Sequence, residues 1–138
     1  MLNCVEKTRK KGELPMLAQI EEAVTMIMLE LGVPVHLKGY QYVRTGIVWC
    51  VLDMERISSV TKLLYPELAK KYFTTPQKVE RAIRNAVEVS WQRGNEELFE
   101  SLFGYSRKDE NGRPTNSEYI GGVADYIQLT LREKGILK

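Results

Sequence analysis

Residues 74–94 read TTPQKVERAIRNAVEVSWQRG, and the reading of this stretch decides the fold. Val79, Ala82, Ile83, Ala86, Val87 and Ser90 recur at helical spacing and form an apolar stripe. Gln77, Lys78, Arg81, Arg84, Asn85 and Glu88 fall on the other side. Thr75 is a natural N-cap, and Pro76 stands at the first helical position, where its missing N–H costs nothing. Gly94 is a natural stop. A shorter helical pattern precedes it at residues 60–72, VTKLLYPELAKKY. Two helices joined by a tight Phe-Thr-Thr turn, the second with basic and amide side chains outward, outline a helix-turn-helix.

The positions test that outline. Ala69 supplies the small residue that lets the second helix approach the first, and Val79 supplies the apolar anchor ten positions later. The turn favours Gly or Asn, because its backbone takes positive φ. Phe73 stands there instead, which predicts either a looser turn or a ring plugged into the core. The alternative is a plain core helix with a solvated polar face, in which Glu80 and Arg84 form an ordinary i,i+4 pair.

Working outward, the 138-residue chain suits one compact domain with a real core. Cys4 and Cys50 show no metal-like spacing, and His36 is the one histidine, so a zinc site is not expected and the thiols should be free in a reducing cytosol. No apolar run is long enough to span a membrane. The net charge is only +2, but Lys62, Lys70, Lys71, Lys78, Arg81, Arg84 and Arg93 concentrate cations on the two central helices. A locally basic element in a near-neutral chain suits a nucleic-acid surface.

The remaining segments also read as helix. Residues 1–14 are polar and basic, and read as a flexible arm or linker remnant ahead of a domain at 15–138. Residues 15–31 form an amphipathic helix with Leu17, Ile20, Val24, Ile27, Met28 and Leu31 near one face, Met26 and Met28 as flexible core filler, and Gly32 as its end. Residues 33–38 read as an extended connector, because Pro34 disfavours helix before it. Residues 39–52 predict a central helix, with a strand left open by the β-branched residues; Gly46 weakens the helix and offers a place for close packing. Asp53 caps a short turn, and Pro66 marks the start of regular helix in the first member of the pair, after a lead-in turn at 63–65. Asn95 caps a short helix at 95–103, whose first turn carries Glu96 and Glu97. Residues 105–114 are a polar loop with a turn at Asn111–Gly112. Thr115 and Glu118 match a capping box that opens a last helix to about Lys134, with Ile120, Val123, Ala124 and Ile127 inward.

Enzymatic signatures are lacking: there is no phosphate-cradling loop, dinucleotide fingerprint, nucleophile elbow or HExxH. The sequence therefore assigns no catalytic residue, cofactor, metal or small-molecule substrate.

The placed stretches resemble the C-terminal effector domain of the stage-zero sporulation response regulator family. The likeness is carried in order by LGVPVHLKGYQYVR, VTKLLYPELAKKY, TTPQKVERAIRNAVEVSWQRGN, SLFGY and PTNSEYI with VADY, from about residue 25 to about residue 128. It implies an all-α, compact bundle of about six helices containing the helix-turn-helix, in a cytoplasmic, nucleoid-associated bacterial protein. It implies that a recognition helix at about 76–93 reads a TGTCGAA-like box of double-stranded DNA in the major groove, and that two domains lie head to tail on tandem boxes. The family's receiver domain has no room in this chain, so no phosphoacceptor is expected.

Carried over by position, Gln77, Glu80 and Arg81 are expected to contact bases. Arg81 can donate twice to a guanine edge, and Glu80 can accept from a cytosine amine. Thr75, Lys78 and Arg84 suit phosphates, with Lys62, Lys38, Tyr40, Asn116 and Ser117 as further phosphate contacts. Three departures stand out: Phe73 where the family has Asn, Asn85 where it has His, and Thr45-Gly46 in place of a helix-favouring pair. The second function to weigh is a protein-interaction module that pairs with a full-length regulator without reading DNA itself.

Overall fold

The computed structural model describes residues 15–104 and 112–137. The expectations for the arm at residues 1–14, for Cys4, for Asn111 and for the loop at 105–111 lie outside the described residues. Six α-helices follow in order: α1 (Met16–Glu30), α2 (Lys38–Leu52), α3 (Tyr65–Lys71), α4 (Pro76–Arg93), α5 (Glu96–Phe103) and α6 (Asn116–Glu133). A 3₁₀ turn at Met54–Ser59 and a π-helical turn at Val60–Leu64 join α2 to α3. No strand occurs among the described residues.

Helix α2 is the hub. It packs against α1, α3, α4 and α6, and buries Val43, Ile47, Val48, Cys50 and Val51. A residue that meets neighbours on several sides needs an apolar surface nearly all round, which is what its second half has. The helix reading of 39–52 therefore holds over the strand. The place of closest approach differs from expectation. A Cβ on Gly46 would meet only ordinary side-chain contact, 3.5 Å from Leu64. A Cβ on Gly39 would lie 2.2 Å from the Ala82 carbonyl oxygen and 2.8 Å from its carbon. Gly39, not Gly46, thus lets α2 lie directly on the backbone of α4.

The apolar stripe of α4 is buried as read, with Val79, Ile83, Ala86, Val87 and Ser90 facing in and Ala82 half-buried beneath Gly39. Among the described residues Ser90 is the polar one buried in the core. Its Oγ donates to the Leu31 carbonyl at 2.6 Å and lies 2.7 Å from the Tyr119 hydroxyl. A serine has one proton to give, so with that proton on Leu31 the Tyr119 hydroxyl is the donor to Ser90.

Three smaller expectations are corrected in the first forty residues. Met28 is fully buried, but Met26 is 56% exposed. Two residues from both Val24 and Met28, it points some 200° away from the stripe they share. Leu17, in the open first turn, is also exposed. The connector at 33–38 is extended only in part: Leu37 N–H donates to the Pro34 carbonyl at 3.2 Å, closing a turn within it, and helix begins at Lys38.

The caps fall where the sequence puts them. Asp53 accepts from Glu55 N–H, Thr75 from Lys78 N–H and Asn95 from Leu98 N–H. Thr115 and Glu118 close the full capping box, with bonds of 3.1 and 2.9 Å.

The glycine contrast gives a direct test. Gly46→Ala is expected to raise stability by about 1 kcal/mol through helix propensity. Gly39→Ala must push α2 off α4 and is expected to lower it by about 1–3 kcal/mol or more. Thermal unfolding of the two variants should shift in opposite directions, by several degrees.

Burial also sets an alkaline limit. Loss of solvation pushes the Cys50 thiol up from 9.0 to about 11, with Arg56 opposing. Burial likewise raises the Tyr119 phenol above its usual 10.0. Both groups hold their protons more tightly folded than unfolded, so their contribution is complete below about pH 9 and is lost as pH rises towards 11. The melting temperature, followed from pH 7 to 11, should be flat at first and fall above about pH 9.

Candidate nucleic-acid interface

Helices α3 and α4 form the paired unit. Pro66 sits in the first turn of α3, where a proline breaks no hydrogen bond. Ala69 is buried on α3 and Val79 on α4, so the pair closes as the residue types require. The turn between them is tight. Thr74 N–H donates to the Ala69 carbonyl at 2.9 Å across Phe73, whose φ is +55°. This is the left-handed closure usually given to glycine. Phe73 neither loosens the turn nor plugs the core: it keeps the motif's backbone, and its ring is 97% exposed.

The outward face of α4 is a crest between two clefts. One, of about 860 Å³, runs between α4 and the start of α6, and is lined by Gln77, Glu80, Arg81, Arg84, Asn116 and Ser117 among others. The other, of about 440 Å³, lies towards the start of α2 and is lined by Lys38, Tyr42, Thr74, Lys78, Arg81, Ala82 and Asn85. Arg81 lines both and therefore stands on the crest. Among the described residues Gln77, Lys78 and Arg81 engage no side-chain partner; each is exposed. Arg84 lies 3.5 Å from Glu80, the i,i+4 pair anticipated for a solvated helix. Such half-exposed pairs are worth only about 0.3–0.5 kcal/mol, so either group can turn to another partner at little cost.

The remaining expected contacts divide. Thr75 holds its place as the α4 cap, with its hydroxyl proton uncommitted. Lys38 and Ser117 are exposed beside the clefts. Lys62 is exposed on the π-helical turn and Tyr40 is packed partly against the core; neither lines these two clefts. Asn116 has another employment. Its amide donates to the Tyr65 hydroxyl at 3.0 Å and to the Glu80 carbonyl at 3.2 Å. It braces α6 against both members of the pair. Burial keeps the Tyr65 phenol above its usual range, so it remains a neutral hydroxyl able to accept that bond.

Residues not singled out from the sequence also shape the site. Arg113 pairs with Glu88 at 2.8 Å, tying the chain ahead of α6 to the side of α4, and Thr61 and Arg113 line the larger cleft. Arg56 bonds Glu67 at 2.7 Å and lies over the Trp49 ring, fixing the 3₁₀ turn to α3. These are contacts between segments distant in sequence, and no local pattern announces them.

No group of His, Cys, Asp and Glu among the described residues is arranged to hold a metal ion. No described helix is long and apolar enough to cross a membrane.

The Asn116 brace is testable by a double-mutant cycle. Asn116→Ala and Tyr65→Phe should each lower stability by about 1 kcal/mol. The double variant should lose less than the sum, because both break one shared bond. Strict additivity in thermal unfolding would show that the bond carries no energy. Residues 24–127 match the family model described as sporulation initiation factor Spo0A C terminal.

Proposed function

The chain belongs to the family of sporulation initiation factor Spo0A C-terminal domains, and on that premise we propose that α4 is the helix by which it reads a TGTCGAA-like box. The family makes the chain a DNA-binding effector domain of the sporulation regulators, all-α and acting in transcription. The finer reading rests on one observation above the rest: Arg81 stands unpaired on a crest between two clefts, with Lys78 unpaired beside it.

A crest of helix width suits the major groove, which is about 12 Å wide, and the flanking clefts then receive the two phosphate backbones. Arg81 carries two parallel donors to the N7 and O6 edge of a guanine. Gln77, one turn earlier, faces a neighbouring base. Glu80 leaves Arg84 and accepts from a cytosine amine, freeing Arg84 for a phosphate. Lys78, Lys38 and the Thr75 hydroxyl meet the backbone at the N-terminal end of α4, where the helix dipole also favours an anion. Ser117 and the first turn of α6 meet it on the other side. Lys62 and Tyr40 are held for the strand beyond the clefts. Such contacts position the domain without specifying sequence. Head-to-tail pairing on tandem boxes, and residence on the bacterial nucleoid in the cytoplasm, are proposed beside it on the family resemblance alone.

The test is a fluorescence-anisotropy titration against a duplex with one box and against its scramble, at several salt concentrations. Arg81→Ala is expected to cost about 1–3 kcal/mol on the box and to relax the preference for it. Lys78→Ala is expected to weaken binding to both duplexes and reduce the salt slope by about one. Equal affinity of the wild type for box and scramble would sink the reading and leave the protein-interaction module in its place.

A further inference from the structure

Among the described residues four glycines take positive φ: Gly32, Gly104, Gly112 and Gly135. Phe73 is the non-glycine residue that joins them. The comparison is close, because α1 and α6 end in the same closure as α3. Val33 N–H reaches the Met28 carbonyl across Gly32, and Ile136 N–H reaches the Leu131 carbonyl across Gly135. Where the chain needs this backbone elsewhere it uses glycine. At the helix-turn-helix it accepts a strained phenylalanine whose ring touches almost nothing in the fold. The residue therefore costs the folded state backbone strain, and its ring, exposed in the folded and unfolded chain alike, returns no burial energy.

Its surroundings indicate what it could meet. Phe73 lines a cleft of about 610 Å³ together with Lys38, Lys78, Thr74, Tyr42 and Tyr72. No Asp or Glu lines this cleft. Tyr42 and Tyr72 pack on each other at 5.2 Å, and Lys71 Nζ lies over the Tyr72 ring at 5.6 Å. Aromatic surface set among unopposed cations fits a polyanion with apolar faces between its charges. A DNA strand has that alternation, with a deoxyribose between every two phosphates. A second copy of this chain would have to bring an acidic surface to the same place.

We propose that the exposed Phe73 ring covers a deoxyribose of the DNA strand that passes the N-terminal end of α4, while Lys38 and Lys78 hold the phosphates on either side. The proposal rests on α4 being the DNA-reading helix. A ring on a sugar carries no base information, so its contribution is the same on every sequence. It also carries no charge, so it leaves the salt dependence alone.

The experiment compares wild type, Phe73→Asn and Phe73→Tyr by anisotropy on single-box, tandem-box and scrambled duplexes, with thermal unfolding of each protein. Asn accepts the left-handed turn readily, so Phe73→Asn should melt several degrees higher. It should nonetheless bind both single-box and scrambled DNA about tenfold more weakly, the loss expected from uncovering one aromatic face. The box-to-scramble ratio and the salt slope should stay as in the wild type. Phe73→Tyr should bind like the wild type. Unchanged affinity of Phe73→Asn on DNA that the wild type binds overturns this inference alone. A loss confined to the tandem-box duplex also overturns it, and assigns the ring to a second copy. A wild type that binds none of the duplexes overturns the DNA-reading role of α4 and this inference with it.

Discussion

The Ser90 hydroxyl fixes the underside of α4. It is wholly removed from solvent, and joins the Leu31 carbonyl that caps α1 to the Tyr119 phenol of α6 through the body of α4. Carbonyls at a helix end have no partner within their own helix, and the Leu31 carbonyl finds its donor here. The net worth of each bond is about 1 kcal/mol, but leaving buried partners unmade costs about 1–3 kcal/mol, so the three elements cannot slide independently. Near the other end of α4 the Gly39–Ala82 approach presses backbone against backbone. A helix pinned in its last turns by hydrogen bonds and towards its first by steric fit presents its outer face in one orientation. Lys78 and Arg81 have their aim set by residues that never leave the core.

Much of this was legible because it depends on short-range rules. The caps at Thr75, Asn95 and Thr115 need only a side-chain oxygen three residues before the N–H it serves. The stripe on α4 needs only period 3.6. Legibility fails where the deciding partner is remote in sequence. Gly39 and Gly46 look alike on α2, and only the position of the Ala82 carbonyl distinguishes them. Asn116 looks like any residue in the first turn of a capped helix. Its engagement with Tyr65 and Glu80 depends on how α6 returns across the pair. The family likeness carried the identity of the domain, and the polar face of α4 was visible as an outward cluster of Gln77, Lys78, Arg81 and Arg84. The braces behind that face were not.

Phe73 is the instructive conflict. Local preference says glycine or asparagine at this φ, and hydrophobicity says a ring should be inside. The structure satisfies neither and keeps the turn. The tertiary frame, with Ala69 under α4 and Thr75 capping it, determines the backbone at Phe73 and overrides the residue's own preference. A mismatch between residue and backbone that the rest of a well-capped fold does not require draws attention to the surface on which it sits.

The Asn116 brace reaches the carbonyl of Glu80 and not its carboxylate. The brace is thus indifferent to which side chain stands at that position. Gln77, Lys78 and Arg81 likewise carry no packing duty, being exposed and unpartnered. On the proposed reading the domain can therefore be re-addressed: Gln77, Lys78 and Arg81 can be exchanged one at a time, with its stability left nearly constant throughout. Evolution of a new target preference, or its deliberate redesign, would face no valley of unfolded intermediates. On that reading the scaffold and its address are written in different residues of the same helix.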